Sequence, residues 1–186
     1  MKLKNKFAAL LLCLVSPAGE VVAQTPRMER MMDKKQQNIV TLAALTAVGD
    51  LDGLKVALGT SLTDGMTVNE VKEVLVHTYA YCGFPRSLRG LQTLVTVLDE
   101  REAKGITDNR GREASPITDA RGKYERGRDI LAKISGVPAD APKADYAVLA
   151  PEIEVFLKEH LFADLFERDV LTYVERELAT VGSCIT

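Results

Sequence analysis

The segment from Thr67 to Pro85, TVNEVKEVLVHTYAYCGFP, restricts this chain more than any other stretch. It reads as one helix with both ends marked. Thr67 is a hydroxyl N-cap and Glu70 follows at the capping-box spacing, which gives two otherwise orphan backbone donors a partner. Gly83 and Pro85 end it, and Pro85 suits the first position of a following helix, where a missing N–H costs nothing. Val71, Val74, Leu75 and Thr78 recur at three- and four-residue steps and form an apolar stripe. Glu70, Glu73, His77 and Tyr81 recur at steps of three, four and four and form a second stripe, one that carries chemistry. Cys82 follows directly. Two carboxylates, an imidazole and a phenol are thus gathered by one helix.

The rest of the composition agrees with helices. The 186 residues suffice for one domain or slightly more. Trp is absent and aromatics make up only 5%, so Leu, Val and Ala must fill the core. Strand-like alternation is scarce, and no Asn-Gly or Asp-Gly turn sits between β-branched runs. The expected fold class is all-α.

Residues 1–23 read as a secretory signal peptide. Lys2, Lys4 and Lys6 make a basic start. Phe7 to Val15 is an apolar run too short to span a bilayer, and Val21-Val22-Ala23 is a small-residue cleavage signal, cut after Ala23. The expected location is periplasmic or secreted. Leu12 before Cys13 is a poor lipobox residue, which argues against a lipid anchor. The remaining chain has 21 basic and 25 acidic residues, a net charge of −4. Dispersed mild acidity excludes nucleic acid and, after cleavage, a membrane surface as expected partners. Cys82 and Cys184, 102 positions apart, allow one disulfide or none. There is no CxxC, zinc spacing, phosphate loop or GxSxG, and no metal or cofactor is expected.

Along the chain, Arg27 to Val48 is expected to be helical, with Met28, Met31, Met32, Ile39, Leu42, Ala43 and Leu45 apolar and Gly49 as its stop. Leu51 to Leu62 follows, facing inward with Leu54, Ala57 and Leu58. After Pro85 a helix runs to Lys104 and closes at Gly105, with Leu88, Leu91, Leu94, Val95 and Leu98 as its buried side. Residues 106–116 form a polar loop. Thr118 or Asp119 caps a helix to about Ser135, and 136–143 is a linker with two prolines. Pro151 opens a helix ending near Phe166. A last helix starts near Asp169 and is expected to continue to Thr186 without a stop, with an apolar face left exposed or covered by another chain. A weak repeat also appears at an offset of 139. Leu178, Ala179, Thr180 and Ser183 fall on Ile39, Val40, Thr41 and Ala44.

Gly65-Met66-Thr67, Glu70, Glu73, His77, Tyr81, Gly83 and Pro85 together resemble the carboxymuconolactone decarboxylase family, whose pattern is roughly G-x-T-x-x-E-x-x-E-x-x-x-H-x-x-x-Y-x-G-x-P. TLAALTAVGD before it and RELATVGSCIT near the end resemble the family's opening helix. The resemblance implies the all-helical alkylhydroperoxidase D-like fold. It divides the chain into a module at 24–104, a linker with one helix at 105–150, and an incomplete second module at 151–186. It also implies trimers or hexamers of modules. One family branch decarboxylates 4-carboxymuconolactone. The other is a peroxidase whose CxxC thiols work with a Glu and a His. Here those positions hold Asn38 for the Glu, Asp50-Leu51-Asp52-Gly53 for the thiol motif and Ala57 for the His. Only Glu177 in the second copy keeps the acid.

The leading expectation is therefore a decarboxylase-like enzyme acting on a small lactone or carboxylate. His77 serves as general acid or base oriented by Glu73, and Tyr81 or Arg86 meets the developing enolate. Glu70, Cys82 and Arg86 are candidate substrate contacts. Against this stand plainer readings: Glu70 a cap, Glu73–His77 a structural pair, Tyr81 a core residue, Cys82 a small buried one and His160 solvated surface. The rival functions are a peroxidase-like antioxidant and a non-catalytic oligomeric binding protein.

Overall fold

A computed structural model describes residues 32–185. The expected signal peptide, its cleavage point, Cys13 and the Arg27–Met31 start of the first helix lie outside the described residues. Every regular element among the described residues is helical.

Helix α1, Lys34–Val48, is capped at Asp33, whose side chain accepts from Gln36 N while the Gln36 side chain accepts from Asp33 N. It stops at Gly49, which adopts φ 77°, a left-handed conformation that L side chains rarely take. Helix α2, Leu51–Thr63, is capped by Asp50, which accepts from Gly53 N at 2.9 Å. Where the peroxidase branch would place a thiol, this chain places a helix cap.

Helix α3, Val68–Ala103, has the expected Thr67–Glu70 capping box at its start. Gly83, at φ 79° and ψ 161°, breaks the helical path, so the span is two helices meeting at a kink. Ser87 Oγ donates to Leu75 O across that kink at 2.7 Å. This contact turns Ser87, Gly90, Leu94 and Val97 inward, with Leu91 and Leu98 at the margins. The expected inward roles of Leu88 and Val95 are wrong; both are more than half exposed. Gly90 sets the register, because a Cβ there would lie 3.2 Å from Leu75 Cδ2 and 3.4 Å from Thr46 Cγ2.

The polar loop after α3 straps back over its own helix. Val68 N donates to Asn109 O and Asn69 N to Arg110 O, at 2.9 and 3.0 Å. The buried Asn69 amide also donates to the Gly111 and Arg112 carbonyls. First-turn donors that a helix leaves orphaned thus find partners in the strap.

Helix α4, Lys123–Ser135, starts after Gly122, not at Thr118 or Asp119, because Asp119 is engaged with Arg121. A short helix α5, Asp145–Leu149, was not expected. Helix α6, Pro151–Phe156, opens at Pro151 as expected and runs into a π-helical stretch, Leu157–Phe166. Gly127 of α4 presses on that stretch so closely that a Cβ would sit 1.7 Å from Lys158 O.

Helix α7, Tyr173–Cys184, begins later than Asp169, because Thr172 and Glu175 form another capping box and Asp169 instead accepts from Ser115. It ends at Ile185. Arg176, Ala179, Gly182 and Ser183 are buried, and the helix packs on α1 and α3. Val174, Val181 and Ile185 face outward, which matches the expected exposed apolar face. The offset of 139 extends to the caps, since Asp33 and Gln36 correspond to Thr172 and Glu175. It extends to packing as well: a Cβ on Gly182 would lie 3.1 Å from its counterpart, Ala43 Cβ. Lys35 joins the boxes of α3 and α7, with Nζ 2.7 Å from Glu70 and 2.6 Å from Glu175.

Gly182 allows this crossing, because any Cβ there meets Val40 O at 2.8 Å. Gly182→Val is expected to cost on the order of 2 kcal/mol by overpacking, despite the better helix propensity of a non-glycine residue. Urea unfolding of the two proteins measures it; an unchanged midpoint would show that the crossing tolerates a side chain.

Candidate functional site

The chemical stripe of α3 turns toward α7 and the turn before it. Glu73 is fully buried. Arg168 grips it through Nε, 3.1 Å from each carboxylate oxygen, and through Nη2 at 2.6 Å. Arg176 adds a second cation, with Nη2 3.0 Å from Oε2. These bonds hold the Glu73 carboxyl below the usual glutamate range although burial opposes ionisation.

Arg176 is itself fully buried. Its Nε and Nη2 donate to the Arg168 carbonyl, and its Nη1 lies 3.5 Å from His77 Nδ1. Guanidinium groups only donate, so Nδ1 must be the unprotonated nitrogen of His77. The proton then sits on Nε2, which donates to Thr180 Oγ1 at 3.0 Å. Thr180 in turn donates to the Arg176 carbonyl at 3.0 Å. Burial and the adjacent Arg176 cation push the His77 imidazole down to about 3, so it is neutral at physiological pH. The Phe166 ring meets its face edge-on, with centroids 5.1 Å apart.

Tyr81 continues the chain outward. Its ring lies 5.4 Å from that of His77. Burial drives its phenol up to about 12, the Thr180 hydroxyl opposing and the Glu177 charge adding. Glu177 on α7 is half-buried, and burial raises its carboxyl. Tyr81, Thr180 and Glu177 therefore form a partly open rim over a closed floor of His77, Arg176 and Glu73.

Several expectations change. Glu73 does not orient His77, because Arg176 stands between them. His77 is not poised near neutral pH. Glu70 is occupied by its cap and by Lys35. Arg86 lies against Gly49 at the end of α1, where its cation suits the negative end of the helix dipole. Cys82 donates to the Thr78 carbonyl, and burial raises its thiol, which disfavours the reactive thiolate. Cys82 and Cys184 are both free. His160 is exposed but contacts Tyr79 and Asp164. Among the described residues no group of three or more His, Cys, Asp or Glu could hold a metal ion. Arg168, Arg176 and Thr180 were missed by the sequence reading. One signal was present for Arg176: it shares the inward helical spacing of Ala179, Thr180 and Ser183.

Residues 23–95 match the carboxymuconolactone decarboxylase family. A 56-residue segment is 34% identical to the 4-carboxymuconolactone decarboxylase of Acinetobacter baylyi, covering 30% of this chain and 42% of that enzyme. A 72-residue segment is 25% identical to an uncharacterized protein of Methanocaldococcus jannaschii, covering 39% of this chain and 67% of that one. The chain thus spans less than half of the Acinetobacter enzyme. The all-helical architecture agrees with the family assignment.

The floor makes two predictions. Unfolded histidine titrates near 6.5, whereas folded His77 stays neutral down to about 3. Stability is therefore complete above pH 6.5 and falls as pH drops below it, by up to about 1.4 kcal/mol per pH unit. Glu73 adds to the loss only below the ordinary glutamate range. Melting temperature should fall between pH 6.5 and 5 in the wild type, and His77→Gln, which keeps one acceptor and one donor, should flatten that slope. Arg176→Leu leaves the buried Glu73 with one cation and His77 Nδ1 without a donor. It should cost about 3–5 kcal/mol in urea unfolding; a loss below 1 kcal/mol would mean that the cluster reorganises freely.

Proposed function

We propose that this protein is a decarboxylase-like enzyme acting on a small lactone or related carboxylate at the seam between α3 and α7. The observation that carries the reading is an excess of positive charge, buried Arg176 and partly exposed Arg168 against buried Glu73, behind a protonated Tyr81 hydroxyl. The family match over residues 23–95 and the partial similarity to a named decarboxylase support the reaction class.

In this reading the bond between the substrate carboxylate and its neighbouring carbon breaks. Carbon dioxide leaves, and the electron pair passes into a conjugated carbonyl as an enolate. The excess cation favours that charge in a low-dielectric setting. Tyr81, protonated at neutral pH, supplies the proton to carbon and is reprotonated from solvent. His77 acts as a neutral donor that holds Thr180, comparable in charge state to a neutral catalytic imidazole. Glu73 positions Arg176 and does no proton transfer.

A structural role has its own supporting observation, the complete burial of His77 and Arg176. Release of carbon dioxide from 4-carboxymuconolactone by the folded full chain separates the two readings. Turnover reduced on the order of 100-fold or more in Tyr81→Phe, at an unchanged melting temperature, supports the enzyme. Correctly folded wild type without turnover on this or related small carboxylates overturns it. The raised Cys82 thiol weighs against the peroxidase reading.

A further inference from the structure

On the outer side of α7 lies a hollow of about 390 Å³. Its walls are Ile134 of α4 and Tyr173, Val174, Leu178 and Val181 of α7, with Lys133 and Glu177 as the only charged lining groups. The size falls in the range that holds small ligands, and the walls are nearly all apolar. Val174 and Val181 are 62% and 50% exposed, so the apolar surface is open to solvent.

The two charged groups do not satisfy each other. Lys133 Nζ stands 5.1 Å from the Tyr173 ring centroid and has no ion pair among the described residues. Glu177 has no hydrogen bond or ion pair among the described residues either. Burial raises its carboxyl. Glu167, the other acid near Tyr173, is already bound to Arg126 at 2.9 Å. The Lys133 ammonium, held over an aromatic ring without an ion pair, is therefore the group in the hollow that can pair with an anion.

We propose that this hollow binds a small organic anion with an aliphatic body, of the medium-chain carboxylate type. The alkyl body lies along Ile134, Val174, Leu178 and Val181, and the carboxylate pairs with Lys133. All the lining residues lie outside 23–95, the residues that match the family. The hollow shares Glu177 with the Tyr81 rim, but its test reads binding and not turnover.

The test is titration of the isotope-labelled full chain with octanoate, octanol and octylamine, read by amide chemical shifts. Octanoate is expected to saturate, with a Kd at or below about 1 mM, and to shift Ile134, Val174 and Val181. Lys133→Leu should weaken octanoate about three- to five-fold while leaving octanol within about two-fold. Val181→Asp, on the solvent side of its helix, should abolish saturation by both with helix content unchanged. Three outcomes overturn the proposal: octylamine binding as well as octanoate, shifts that map elsewhere, or no saturation at millimolar ligand. Concentration-dependent shifts at the same residues without any ligand would show a second copy of the chain covering the hollow, which also overturns it.

Discussion

A fully buried arginine decides how the helices of this protein meet. Arg176 brings a permanent charge into a region shielded from solvent, which is tolerable only when its donors find acceptors. The Arg168 carbonyl, Glu73 and His77 provide them. Because those acceptors come from α3 and from the turn before α7, the ion fixes the distance and rotation of α7 against α3. Apolar burial supplies the driving force, through Ile39, Leu42, Leu54, Leu58, Val71, Val74 and Leu75. It does not select one register; directional bonds to a buried cation do.

The same ion inverts the chemistry that the α3 stripe suggests. An isolated Glu–His pair on a helix surface would share a proton near neutral pH. Here the guanidinium takes the carboxylate for itself and repels a proton from the imidazole. What remains toward solvent is the rim of Tyr81, Thr180 and Glu177 over a floor in which Arg176 and Glu73 offset each other and partly exposed Arg168 adds a second cation.

Much of this was legible in the sequence, and the boundary of legibility has a physical cause. The Thr67–Glu70 box, the Gly83 break and the Val71–Leu75 stripe depend on residues within a few turns of one another, and sequence patterns express such contacts directly. Asp33, Thr172 and Glu175 were just as local but were overlooked, so the starts of α1 and α7 were misplaced. The Leu88 and Val95 error came from reading the helix after Gly83 as if it were straight, whereas the Ser87–Leu75 bond rotates it. Arg168 and Arg176 meet Glu73 across 95 and 103 residues. No periodicity in either segment announces a partner at that separation. An arginine on the inward spacing of a helix states only that it needs acceptors, not where they are.

Lys35 deserves a last consequence. The first turns of α3 and α7 each present a positive dipole end, and each holds a glutamate against it. One ammonium lies between those glutamates. Unwinding either turn releases its acid, which leaves the lysine to the other alone and changes the field that the second helix start experiences. The two helix origins are therefore thermally linked through a single flexible side chain. Fraying at one end of the seam is communicated to the other without any movement of the hydrophobic interior.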